Sequence, residues 1–176
     1  MLTTRSGLEG PGRVLVQGAG GGVASAAIVL AKALGHTVFC AARDQSKRDR
    51  ALSIGADHVV ASGERLPEKV DVVIETVGAA TWDHSLRALK PGGRIVVSGA
   101  TSGAAPPADL NRVFFLQLSV VGSTMGTRGE LEDMLALLDR TGVRPIIDDV
   151  RPLSDARASF ERLEAGDAFG KLVLTV

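Results

Sequence analysis

Arg13-Val-Leu-Val-Gln-Gly-Ala-Gly-Gly-Gly-Val-Ala24, running on through Ser25-Ala-Ala-Ile-Val-Leu-Ala-Lys-Ala-Leu34, is the stretch on which the fold turns. A short apolar run ends in five small residues, Gly18, Ala19, Gly20, Gly21 and Gly22. An Ala-rich segment, apolar nearly all round, extends from Val23 to Leu34 and stops at Gly35. The first piece reads as a buried strand and the last as a buried helix closed by a glycine. Amides at the mouth of such a helix lack intrahelical partners, and the helix dipole makes that end positive. Small residues let a diphosphate approach those amides. Ala26 and Ala27 allow the helix to pack close to a sheet. The spacing departs from the usual glycine fingerprint, because the third small residue arrives one position late, at Ala24. A lone glycine bend is equally a flexible turn, so its context decides.

That context is an alternation of strand and helix patterns. Thr37–Ala41, His58–Val60, Asp71–Glu75, Arg94–Ser98 and Leu118–Gly122 read as further strands. Ser46–Ile54, Ala79–Leu89, Asp109–Phe115 and Glu130–Arg140 read as helices, the last with Leu131, Met134, Leu135 and Leu138 on one face. Pro91-Gly-Gly93 is a turn, and Thr101–Ala108 an irregular loop. Strands apolar on both sides, joined by helices, make a parallel sheet covered on both faces. With right-handed crossovers this is the α/β Rossmann fold, a doubly wound six-stranded parallel sheet. It spans residues 1–143. Residues 144–176 form a short C-terminal appendage: Pro145–Ile147 strand-like, Ser154–Ala165 helical, Gly170–Val176 a terminal strand.

Composition limits the function. The 176 residues carry 20 Lys plus Arg against 20 Asp plus Glu, which gives no electrostatic reason to expect nucleic acid or an anionic membrane. Cys40 is the one cysteine, so no intrachain disulfide forms. No window approaches the roughly 20 apolar residues of a membrane span, and Met1–Gly10 lacks a signal-peptide core. A cytoplasmic location is expected. There is no tyrosine and no Cys/His cluster with metal spacing. No catalytic residue and no metal ligand is therefore assigned. Cys40 falls in a strand; His36 is expected at the surface, and His84, with Asp83 beside Trp82, to serve packing and solvation.

The end of the second strand bears on which nucleotide is bound. An acid there holds the ribose hydroxyls of NAD, but this chain has Ala42 followed by Arg43, with Lys47 and Arg48 one turn on. A guanidinium pairs with a 2′-phosphate, so NADP is favoured, with NAD possible. Arg43 is otherwise an ordinary surface charge. Asp44 is read as the cap of the next helix, the alternative being a displaced ribose ligand.

The sequence resembles the medium-chain dehydrogenase/reductase superfamily of zinc-type alcohol dehydrogenases and quinone oxidoreductases. The resemblance is carried by Val14–Val23, Leu52–His58, Asp71–Gly78, Leu86–Gly99, Val121–Gly126 and Phe169–Leu174, and covers nearly the whole chain. It implies that Thr76-Val77-Gly78 and Ser98-Gly99-Ala100 lie along the cofactor and that Ser123-Thr124-Met125 approaches the nicotinamide. It also implies hydride transfer to or from an alcohol, carbonyl or quinone, and a homodimer joined through strand 118–122. Nothing in the chain resembles the family's N-terminal catalytic domain, which supplies the zinc ligands. Residues 144–176 resemble the segment that packs on that domain. The chain is therefore expected to be a fragment, an isolated domain or a truncated product, inactive by itself and binding no zinc. A non-enzymatic NADP-binding or interaction module is the alternative. The short-chain dehydrogenases share part of the loop spacing but need a catalytic tyrosine.

Overall fold

Val14 and Val16 point to one side of their strand and Leu15 to the other, and all three are fully buried. A strand covered on both faces belongs at the centre of a layered sheet. The computed structural model, which describes residues 1–176, places it there. β1 (Arg13–Gln17) lies between β2 (Thr37–Ala42) and β4 (Val70–Glu75). β3 (His58–Ala61) flanks β2, while β5 (Leu89–Val97) and β6 (Ser119–Gly122) extend the other side. The order is β3-β2-β1-β4-β5-β6, with every pairing parallel. Strand order reverses at β1/β4, where the crossovers leave in opposite directions and open a crevice at the carboxyl edge.

Each face has its own core. Val14, Val16, Val38, Cys40 and Ile74 pack with Ala24, Ala27, Ile28 and Ala31 of α1 (Gly22–Ala33) and with Ala51 of α2 (Gln45–Ser53). Leu15, Phe39, Val73 and Ile95 pack with Leu86 and Ala88 of α3 (Ala79–Ala88). The alanine run of α1 serves this close approach, since each methyl lets the helix backbone sit nearer the sheet.

Several local expectations change. Pro91–Gly93 does not separate a helix from a strand. It lies within β5, where Val70 pairs with Leu89 and Val72 with Arg94, so the extra residues bulge out of the ladder. After α4 (Leu110–Phe115), α5 spans Arg128–Thr141 and opens with a reciprocal capping box between Thr127 and Glu130. Of its apolar residues only Leu137 is buried, while Leu131, Met134 and Leu135 are exposed. The amphipathic stripe exists but faces outward, with Leu137 alone covered.

The C-terminal strand begins later than expected: β7 is Ile147–Pro152, and it pairs in parallel with β8 (Lys171–Thr175) across α6 (Ala156–Ala165). The resulting two-stranded sheet is separate from the main one. This appendage is anchored to the main fold through Phe169, which is 1% exposed and belongs to the α1-side core. No helix is long and apolar enough to cross a membrane.

Candidate functional site

The bend after β1 is held open from outside. The Gly18 amide donates to the Ala41 carbonyl at 2.8 Å, tying the bend to β2. Gly18 has φ +77°, a left-handed conformation that turns the chain sharply out of the strand. Gly21 is the N-cap of α1, yet no side chain caps the helix and no acid stands in its first turn. The amides of Ala19 through Ala24 find no acceptor in the protein. Two lysines border them. A Cβ on Gly20 would meet Lys47 Nζ at 3.1 Å, and one on Gly22 would meet Lys171 Cδ at 2.7 Å. The cradle is thus unfilled and positive, and the Ala168 carbonyl, 3.2 Å from a Cβ on Gly20, leaves little room at that glycine.

The start of α3 is the opposite case. Glu75, with no exposure, accepts the amides of Val77 at 2.8 Å and Gly78 at 3.1 Å. Ala79 donates to the Gly103 carbonyl at 3.0 Å and Ala80 to the Ser102 hydroxyl at 2.9 Å. Every amide at that mouth is already satisfied. Glu75 also accepts the hydroxyls of Thr81 at 2.9 Å and Ser85 at 2.6 Å. Gln17 Nε2 reaches Ser85 Oγ and His84 Nδ1, both at 2.9 Å. His84 is therefore a buried member of a polar network, not a solvated one. Burial holds its pKa below the usual imidazole value, with Arg87 acting the same way against the Glu64 backbone and the charges of Glu75 and Asp83.

The remaining candidates line the same edge. Thr76 Oγ1 donates to the Gln17 carbonyl at 3.3 Å, and Val77 lies against Gly18. Gly78 has φ +91°, and a Cβ there would collide with the Gly103 carbonyl and lie 2.9 Å from Ala100 Cα. A Cβ on Gly99 would lie 2.9 Å from the Thr76 carbonyl. Thr76–Gly78 and Ser98–Ala100 thus form one interlocked rim. The Ser123 amide donates to the Val97 carbonyl at 2.8 Å, and Thr124 and Met125 beyond it are exposed. Val23 is half exposed at the first turn of α1.

At the other end, Ala42 is buried and Arg43 exposed. Arg43, Asp44, Ser46, Lys47 and Arg50 line a cleft of about 460 Å³ together with Ala165, Asp167 and Phe169. Asp44 occupies the N-cap position of α2, but its side chain does not cap the helix; it sits 3.8 Å from Lys47 Nζ instead. Lys47 also donates to the Gly166 carbonyl at 2.6 Å.

Lys171 and the Ala165–Phe169 wall were not among the candidates read from the sequence. Their only sequence signal is the resemblance at Phe169–Leu174, since periodicity says nothing of docking across some 150 residues. His36 also differs: it is buried, and its Nδ1 accepts the Gly12 amide at 3.1 Å. It lies at the amino edge, remote from the crevice. Cys40 is buried in β2, and burial pushes its thiol up to about 12.

A family model described as zinc-binding dehydrogenase matches residues 22–140. The chain belongs to that family. It is 33% identical over 178 residues to an acryloyl-coenzyme A reductase of Metallosphaera sedula, covering 97% of this chain and 53% of that protein. It is 30% identical to an NAD-dependent alcohol dehydrogenase of Sulfolobus acidocaldarius, covering 93% of this chain and 50% of that one. A crystal structure of an NAD-dependent alcohol dehydrogenase superposes with a TM-score of 0.87 at 33% identity, over 97% of this chain and 53% of that one. A mycobacterial protein solved in complex with NADPH superposes with a TM-score of 0.82 at 25% identity, over 99% of this chain and 60% of that one. The chain spans about half the length of the curated relatives it matches. It corresponds to the cofactor-binding domain of this zinc-binding dehydrogenase family. Zinc itself does not fit these residues, because no three His, Cys, Asp or Glu side chains stand together to hold a metal.

Proposed function

We propose that this zinc-binding dehydrogenase domain binds NADP(H) along the carboxyl edge of its sheet and presents the nicotinamide for hydride transfer to or from an alcohol, carbonyl or quinone. One observation carries the reading: the amides at the mouth of α1 are unfilled and bordered by Lys47 and Lys171, whereas those of α3 are satisfied internally. A diphosphate supplies the acceptors that the first mouth lacks. The dinucleotide contributes the hydride chemistry when bound. This chain's part is to grip the diphosphate at Gly18–Val23 and to direct the two ends apart. Thr76–Gly78, Ser98–Ala100 and Ser123–Met125 border the nicotinamide end.

Ala42, Arg43 and Lys47 border the adenosine end. The preference for NADP rests on Arg43, on the absence of an acid at Ala42, and on the cationic cleft beside them. It agrees with the neighbour solved with NADPH, while other relatives are NAD-dependent by name. The test is calorimetric titration of NADPH and NADH into the chain and into Arg43→Asp. NADPH should bind more tightly to the parent, and the variant should lose that preference; equal affinities in the parent remove the NADP assignment.

Two surfaces support further contacts. β6 is an edge strand with Val120 half exposed, beside the exposed Phe114 and Phe115; it is assigned to a homodimer. Residues 144–176 present Ile147, Val150, Leu153, Phe160 and Leu163 to solvent, a face suited to a catalytic domain.

A further inference from the structure

Asp148, in β7, has a side chain only 4% exposed. A carboxylate at that depth is costly unless it is fully paired. Its Oδ1 accepts Arg50 Nη2 of α2 at 2.7 Å, and its Oδ2 accepts Arg162 Nη2 of α6 at 2.6 Å. The Phe169 backbone also donates toward it. Burial raises the carboxyl's pKa, but these donors and the two guanidinium charges outweigh it and hold the group below its ordinary value. The acid is therefore ionised at neutral pH.

The contacts continue residue by residue toward the glycine bend. Arg50 also lies over the Phe169 ring, 4.3 Å from its centroid. The next residue, Gly170, donates its amide to the Gly20 carbonyl at 2.9 Å. The next, Lys171, donates to the Ile146 carbonyl at 2.9 Å and runs its side chain beside Gly22. The Ala168 carbonyl closes on Gly20 from the same side. One buried acid thus joins a helix of the main fold to the segment that touches the bend. Packed apolar residues often stabilise as well as such a buried pair does; here one carboxylate of β7 fixes the guanidiniums of α2 and α6 together.

We propose that Asp148 is a positioning residue for the dinucleotide site: through Arg50 and Phe169 it sets where Gly170 holds the Gly20 carbonyl, and so the aim of the free amides that follow. The proposal rests on the glycine bend being the diphosphate site. By linkage, a bound dinucleotide tightens the docking of residues 168–171 in return.

The experiment measures NADPH and NADH affinities of the full chain well below its melting temperature, with amide exchange followed at residues 169–171. Asp148→Asn should weaken both dinucleotides by about tenfold, the order expected when one charge-assisted hydrogen bond is lost from a buried group. The NADPH/NADH ratio should not change, because the diphosphate is common to both. Exchange at residues 169–171 should quicken. Arg50→Met, which keeps an apolar stem against Phe169, should also weaken NADH and quicken exchange at residues 169–171; because Arg50 lines the cleft beside Arg43, its NADH affinity, free of any 2′-phosphate, carries the test if Asp148→Asn does not fold. Asp149→Asn removes the neighbouring charge, whose partners are Arg151 and Arg162. It should stay within about twofold of the parent, because Asp148 keeps its bonds to both Arg50 and Arg162. A lower melting temperature with unchanged affinities overturns the proposal, and so does a change confined to the NADPH/NADH ratio. If the parent binds no dinucleotide, the reading of the bend fails and takes the proposal with it; if the parent binds and the variants bind equally, the proposal alone fails.

Discussion

Replacing Gly21 with Asp separates what the α1 mouth does for stability from what it does for binding. Gly21 has φ −75° and ψ 158°, ordinary extended backbone for any residue, and a Cβ there meets nothing within 4 Å. It is an N-cap without a capping side chain. An aspartate would accept first-turn amides and sit at the positive end of the helix. Relative to glycine the cap is worth a few tenths of a kcal/mol, and the charge at the dipole roughly 0.3–1 kcal/mol. The variant should be more stable by about 0.5–1 kcal/mol, a rise of about 1–4 °C in melting temperature for a chain of this size. Binding moves the other way. A carboxylate ~4 Å from a diphosphate charge costs about 4 kcal/mol at an effective dielectric of ~20. Discounted for screening, that still leaves affinity down by roughly a hundredfold. Scanning calorimetry and NADPH fluorescence titration on the same preparations read both quantities. A variant that binds NADPH as the parent does would refute the diphosphate assignment, and one that melts lower would show that the mouth was not free to be capped.

Gly78→Ala should cost about 2–4 kcal/mol in urea unfolding, because the new methyl meets the Gly103 carbonyl in a left-handed conformation; a loss under about 1 kcal/mol would contradict the interlocked rim. Stability should fall as pH drops below about 6.5, the ordinary imidazole value, because His36 and His84 have lowered pKa values in the fold. The unfolded chain then binds more protons than the native one, so the stability these two contribute is complete above that value and lost as pH falls toward the native ones. Urea midpoints from pH 8 to pH 5 check this, and a flat profile over that window would contradict it. Val120→Lys should convert a dimer to monomers in light scattering; a parent that is already monomeric, or a variant that stays dimeric, removes the edge-strand assignment.

The doubly wound six-stranded sheet was legible because its signals are local. Val14-Leu-Val16 and Val72-Val-Ile74 are apolar on both faces, Gly35 and Gly55 stop their helices, and the bend at Gly18–Gly22 marks the crevice. Arg43 stands exposed just beyond β2, where the sequence put it. What escaped the sequence was fixed by distant partners. Asp44 has the composition of a cap, yet Lys47 draws its carboxylate away from the helix. His36 has the context of a surface turn, yet the Gly12 amide gives it a buried partner. The stripe on α5 was correctly amphipathic, but nothing in its period tells which neighbour it meets. The largest omission was the approach of residues 166–171 to the glycine bend, since Phe169, Gly170 and Lys171 gain their role only once Asp148 and Arg50 bring two units together.

The site also explains its glycines individually. At Gly20 a Cβ would press on the Ala168 carbonyl, and at Gly22 it would have to displace the Lys171 side chain. Gly21 has room for a side chain, and the protein offers no structural reason for its absence. Of the three it is the one whose smallness points to a ligand.

That reading is tested most directly by titrating ADP-ribose and adenosine separately into the ¹⁵N-labelled chain and following individual backbone amides. ADP-ribose should shift the amides of Gly20 to Ala24 while leaving those of Val77 to Ala80 nearly in place, and adenosine should shift neither set. Shifts absent from Gly20–Ala24, or produced there equally by adenosine, would contradict the account.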